Sequence, residues 1–286
     1  MTRVKFVLFI VAALLLAAFV GPAPGASGTA RTKKAPAKKA SRAKAPAAKA
    51  KPARGPMIEP VARELLKKTS DYMASLPRFT VHTEVTREVI FPSGLTVDSN
   101  RATDLSVERP NHLKADVRSG IRHVQLLYNG KDIVLYTPEQ NVYGEVTAAP
   151  TIVQVIKTAE QRYGLDLPAS EFLFADPYQV MIAKVERGAY VGPSLVDGVM
   201  CDQLAFRQKD MDWQLWVARG DQPVPMRLAI VDRSARGAPR YTVTMTDWNT
   251  SPQFEAAEFT FTPPEGATQI AVLDLSRLPA RAMARK

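Results

Sequence analysis

The stretch from Val196 to Ile230, VDGVMCDQLAFRQKDMDWQLWVARGDQPVPMRLAI, decides the fold, because it reads as three consecutive strands. Asp197-Gly198 is a turn pair at the start of the first, the polar run Arg207 to Asp212 closes one hairpin, and Arg219 to Pro223 closes the next. Met226, Leu228 and Ile230 fall at period two, so one face of the last strand is apolar. In the middle strand Trp213, Leu215 and Val217 share a face, while Trp216 and Ala218 lie on the other. A strand apolar on both sides needs a cover beyond the sheet.

Working outward, the same period recurs. Phe79, Val81, Val85, Val89 and Phe91 share one parity, and Thr80, His82, Glu84, Thr86 and Glu88 the other, which predicts a long half-buried strand returned by Pro92-Ser93-Gly94. Further strands are expected near Thr96 to Val107, Leu113 to Val117, Val124 to Tyr128, Asp132 to Thr137 and Ala189 to Val196, with Tyr241, Val243 and Met245 alternating in the last. Asn129-Gly130 is the strongest hairpin signal, since both residues tolerate positive φ. Helical spacing appears twice. Ile58, Val61, Leu65, Tyr72, Met73 and Leu76 keep it, with Pro60 suited to a first turn; Ile152, Val153, Val155, Ile156, Ala159 and Tyr163 keep it between a Thr151 cap and a Gly164 stop. Residues 165–181, with two prolines, predict one or two short helices. The order helix, strands, helices, strands, with short links, makes the chain α+β: a curved antiparallel sheet of about nine to eleven strands covered by two or three helices.

Several segments carry a resemblance. Val-Asp-Gly-Val, Cys-Asp, Leu-Ala-Phe-Arg, then Asp-Trp-Gln-Leu-Trp-Val and a Pro-rich return to Arg-Leu make up the first. Leu127-Tyr128-Asn129-Gly130-Lys131 leading to Leu135-Tyr136-Thr137-Pro138 and Tyr143 is the second, and Phe259-Thr260-Phe261-Thr262-Pro263-Pro264-Glu265-Gly266-Ala267 the third. Together they resemble a bacterial family of predicted periplasmic proteins, domain of unknown function 2092, which is similar in turn to the lipoprotein carriers LolA and LolB. The resemblance implies an unclosed half-barrel whose helices lid a hydrophobic cavity for acyl chains. It implies no functional residues position by position.

Composition is that of a soluble globular chain: 286 residues, 46% hydrophobic and 23% charged. The charge is unevenly spread. Residues 1–56 hold 12 Lys and Arg and no acid, which leaves 26 basic against 28 acidic residues for the rest. The high pI therefore belongs to the leader, and a nucleic-acid role for the whole chain is disfavoured. Met1 to Lys5 is basic and Phe6 to Val20 uninterruptedly apolar, the outline of a signal peptide over residues 1–26, with Ala26 and Ala30 as alternative ends and an uncleaved inner-membrane anchor as the other reading. Residues 27–56 form a Lys/Ala/Pro-rich linker without the side chains for a core. It suits either a tether or, through residues 31–56, a polycation for an anionic envelope surface. The half-barrel domain is expected over 57–270 and a basic tail over 271–286.

Catalytic signatures are missing: no Walker loop, G-x-S-x-G, H-E-x-x-H, C-x-x-C or dinucleotide fingerprint. His82, His112 and His123 are scattered, Cys201 has no basic neighbour in sequence, and Asp197, Asp202, Asp210 and Asp212 flank turns. No cofactor and no metal is expected. Parity places Phe79, Val81, Val85, Val89, Met226, Leu228, Ile230, Tyr241, Val243 and Met245 inward, as lining of a cavity or as a filled core. The expected protein is a non-catalytic periplasmic binder or carrier of a lipid or lipoprotein acyl chain; the alternative is an interaction or sensor module using the sheet face or an edge.

Overall fold

The computed structural model describes residues 57–120, 122–163 and 169–271. The expected signal segment, the linker, the Gly164 helix stop and all of the C-terminal tail but Ala271 lie outside the described residues.

The longest alternating run makes the spine of one sheet. β2 (Arg78–Ile90) and β3 (Thr96–Glu108) pair antiparallel from end to end, Arg78 opposite Glu108 and Ile90 opposite Thr96. β4 (His112–Ser119), β5 (Arg122–Tyr128), β6 (Asp132–Thr137) and β7 (Val142–Thr147) follow as a meander. The chain then crosses to the opposite edge and returns as β8 (Arg187–Val196), β9 (Val199–Arg207), β10 (Met211–Ala218), β11 (Pro225–Asp232) and β12 (Arg240–Asn249), the last pairing with β2. Two-residue strands finish the edges in parallel: β1 (Met57–Ile58) on β8 and β13 (Thr268–Gln269) on β7. Such short stubs cover edge hydrogen-bonding groups. The curved, open sheet thus has 13 strands among the described residues, eleven of six residues or more. β7, with Gly144 at its centre, and the two stubs carry no clear alternation.

The turns sort by chemistry. Asp197 and Gly198 both take positive φ (48° and 79°), the type I′ pattern whose twist suits a two-residue hairpin. Asn129-Gly130 differs from expectation: only Gly130 is at positive φ, and the Asn129 side-chain oxygen accepts from the backbone N–H of Lys131 and Asp132 instead.

The crossing chain and the N-terminal segment build the roof. α1 (Pro60–Ser75) starts at Pro60, where the missing N–H loses nothing, and buries Ala62, Leu66, Thr69, Ser70 and Met73 at helical spacing. α2 (Ile152–Tyr163) is capped by Thr151, whose hydroxyl accepts from the Gln154 N–H at 3.3 Å. A 3-10 turn at Ser170–Leu173 and α3 (Pro177–Ile182), capped by Asp176, complete it.

A second cover was not foreseen. The chain after β12 straps the other face of β4 to β7: Phe259 lies against Phe254 and His112, Glu258 pairs with Lys114 at 2.8 Å, and Phe261 sits between Tyr136 and Tyr143. Leu127 and Val134, which the register puts on that face, are buried. Trp216, the outward tryptophan of β10, lies beneath the Arg227 guanidinium and donates to the Ser194 hydroxyl.

Candidate functional site

Residues directly opposite in an antiparallel ladder share a face, so the register gives the helix-covered side row by row. Leu228, Val243 and Val85 stand in one row, Ile230, Tyr241 and Arg87 in the next. Beyond Thr246 a register shift, with Asp247 at φ 52°, brings Trp248 round to meet the Phe79 ring at 5.5 Å. Of the ten residues expected inward, Phe79, Val81, Val85, Met226, Leu228, Val243 and Met245 are buried, and Val89, Ile230 and Tyr241 half-buried. The register and strand alternation put all ten on one side of the sheet.

The same side gathers residues that the parity list omitted. Leu204 and Leu215 are opposite each other and fully buried, and Phe206 stacks on Trp213 with centroids 4.2 Å apart. Val107 and Tyr128 are buried at the other half, the Tyr128 hydroxyl donating to the Ala149 carbonyl. Their period-two spacing was the available signal.

Cover over this side is uneven. Along β3 the inward residues run from Val107, 0% exposed, through half-buried Leu105, Thr103 and Arg101 to Val97, 41% exposed. Along β2, Phe79 and Val81 are buried and Arg87 and Val89 half-buried. One end is roofed; the other, toward the β2–β3 turn, is open to solvent.

At the roofed end Arg109 ties the parts together. Its guanidinium donates to the carbonyls of Met73 and Leu76 at the end of α1 and of Phe172 and Leu173 in the 3-10 turn. Burial lowers its pKa from the usual arginine value. Within the roofed core the Thr69 and Ser70 hydroxyls and the Trp213 indole N–H have no hydrogen-bond partner among the described residues.

Titratable groups concentrate on the opposite face. His82 bonds Asp104 at 2.6 Å, Arg118 bridges Asp104 and Asp116, and Asp116 accepts from His123 and Gln125. Burial raises the Asp116 pKa, but its bonds from His123 and Gln125, with the Arg118 charge, outweigh that and hold the carboxyl below its usual range. Asp212 pairs with Arg207 and Arg233 on that face, whereas Asp202, opposite Val217 in the ladder and so on the roofed side, pairs with Arg219 and the Tyr190 hydroxyl. Burial, then the neighbouring Asp202, raise the Cys201 thiol pKa. Among the described residues no three His, Cys, Asp or Glu side chains converge as a metal set, and no helix is long and apolar enough to cross a membrane.

Fold and site together define an α+β protein in which an open, curved antiparallel sheet carries a helical roof over an apolar face. The chain belongs to the family of predicted periplasmic proteins called DUF2092, whose model matches residues 62–273, in keeping with the expected periplasmic location. No curated protein matches it. Among solved structures it is similar to the lipoprotein LppX of Mycobacterium tuberculosis, at 13% identity over 69% of this chain and 100% of that one with a TM-score of 0.45. It is also similar to a LolA superfamily protein of Nitrosomonas europaea, at 13% identity over 70% and 97% with a TM-score of 0.38. A third is an uncharacterized conserved protein of Thermus thermophilus, at 10% identity over 74% and 99% with a TM-score of 0.43.

Proposed function

We propose that this domain is a non-catalytic periplasmic binder or carrier of an amphiphile, a lipid or the acyl chain of a lipoprotein, held against the helix-covered face of the sheet. The observation that supports it is the falling cover along that face, from buried Val107 to exposed Val97 on β3, where a chain could enter. Phe79, Val81, Val85, Val89, Met226, Leu228, Ile230, Tyr241, Val243 and Met245 would contact that chain. Each methylene taken from water contributes about 0.8 kcal/mol, so a chain of ten gains about 8 kcal/mol before the loss of its own freedom is charged against it. Such binding needs no directional recognition.

Docking of a partner strand is the alternative reading, although β1 and β13 each cap two residues of the outer strands β8 and β7. The linker at 31–56 would hold the domain near anionic envelope surfaces through its positive charge. The test is native mass spectrometry of the protein purified from its own host, followed by delipidation and rebinding of a fluorescent fatty acid. A co-purifying amphiphile and saturable rebinding are expected. A ligand-free native protein that also fails to take up the fatty acid would refute the proposal.

A further inference from the structure

On β2 to β5 the charges are separated by face. All six carboxylates of these strands, Glu84, Glu88, Asp98, Asp104, Glu108 and Asp116, point to the outer side. The roofed side carries no acid there but three half-buried arginines, Arg87, Arg101 and Arg122, all toward the open end. Val85, Arg101, Ser119 and Arg122 form one row across four strands, and Tyr241, Arg87 and Ser99 the next row outward. Arg101 and Arg122 are two strands apart, roughly 9–10 Å between backbones, a gap that two arginine side chains can close on one phosphate or carboxylate. Among the described residues neither is in an ion pair; the Arg101 guanidinium donates to the Tyr241 hydroxyl at 3.5 Å. The row of Arg101 and Arg122 continues sideways as buried Val85, Val243 and Leu228, and Met245 and Val81 lie one and two rows further inward as an apolar floor.

Resting on the carrier reading above, we infer that the ligand is an anionic amphiphile whose phosphate or carboxylate head is held by Arg101 and Arg122 at the open end, its chain lying inward along the floor. Among the described residues these half-buried guanidiniums face no carboxylate, and Arg101 has only its long bond to the Tyr241 hydroxyl, so an anionic head would supply the charge-assisted bonds they lack. Fork geometry suits a phosphate better than an ammonium would.

The test uses the full-length chain and two single-chain lipids of one acyl length, anionic palmitoyl lysophosphatidylglycerol and uncharged 1-monopalmitoylglycerol, below their micellar concentrations, each displacing a fluorescent fatty acid. The anionic lipid should bind about tenfold tighter or more, a preference that weakens as salt is raised. In the double variant Arg101→Gln/Arg122→Gln the preference should vanish while the uncharged lipid binds as before, which also reports an intact fold; Arg101→Lys/Arg122→Lys should retain part of it. Glycerol 3-phosphate alone should not displace the probe, and displacement as effective as that by the lysolipid would overturn the tail-bearing ligand. Equal binding of both heads by the natural chain, or a preference unchanged in the Gln variant and so traceable to residues 31–56, would overturn the head site while leaving the carrier reading intact. Binding of neither single-chain lipid nor the fatty acid would overturn both.

Discussion

Replacing Arg109 by Met tests whether the roof is clamped as the structure has it. The guanidinium reaches four carbonyls from two separate segments, Leu76 at 3.1 Å, Met73 at 3.4 Å, Phe172 at 2.8 Å and Leu173. Hydrogen bonds from a charged donor contribute about 1.5–3 kcal/mol each, and a buried carbonyl left without its donor costs about 1–3 kcal/mol. Against these stands the relief of no longer burying a cation, a burial visible in its lowered pKa. With the long Met73 contact discounted, three good bonds against one desolvation leave a net loss of about 3–5 kcal/mol. That is about a fifth or more of the stability of a typical domain. Urea unfolding of the full chain followed by the fluorescence of Trp213, Trp216 and Trp248 should show the midpoint falling with little change in slope. Arg109→Lys, with a point charge in place of a fork, should recover only part of the loss. A Met variant within about 1 kcal/mol of the natural protein would mean that the clamp does not hold the roof.

Thr69→Val should raise stability by about 1 kcal/mol, because it removes a buried hydroxyl that has no partner among the described residues while keeping the shape of the side chain; a lower unfolding midpoint would show that the hydroxyl is bonded in solution. Asp116 should make stability depend on acid. Its folded pKa is depressed, so its contribution is fully present above the unfolded value near 3.9 and is lost as pH falls through the lower folded value. Asp116→Asn should therefore be less stable than the natural chain at pH 6, and the gap should close toward pH 2; a gap that stays constant over that range would refute the role assigned to its His123, Gln125 and Arg118 partners.

What the sequence discloses is what side-chain alternation controls locally. The inward parity of Phe79, Val81 and Val85, the Met226 to Ile230 triplet and the Tyr241 to Met245 triplet needed only the period of two, and pairing then aligned them in common rows. The outer strap is different. Phe254, Phe259 and Phe261 sit among Pro252, Pro263 and Pro264 with neither period, and their partners His112, Tyr136 and Tyr143 lie more than a hundred residues earlier. Arg109 is likewise silent in sequence, since its role is defined by carbonyls of segments far from it in the chain. Arg101 and Arg122 stand out only through the register, which puts them on the apolar side.

A mismatch of lengths accompanies the open end. The 13 residues of β2, at about 3.3 Å each, run about 43 Å, and β3 matches them. The 16 residues of α1, at about 1.5 Å each, span only about 24 Å, so even laid straight along the strands the longest roofing helix falls about 19 Å short. A deficit of that size is about six strand residues, which corresponds to the outer stretch of the β2–β3 hairpin, where burial on the roofed side gives way to half-buried Arg87, Val89 and Arg101 and to exposed Val97. Residues there cannot be purely apolar without exposing a patch to water, nor purely polar without interrupting the apolar face. Arginine, whose aliphatic stem packs while its charged head stays at the surface, satisfies both conditions, and its charge at that boundary is what would select an anionic head over a neutral one.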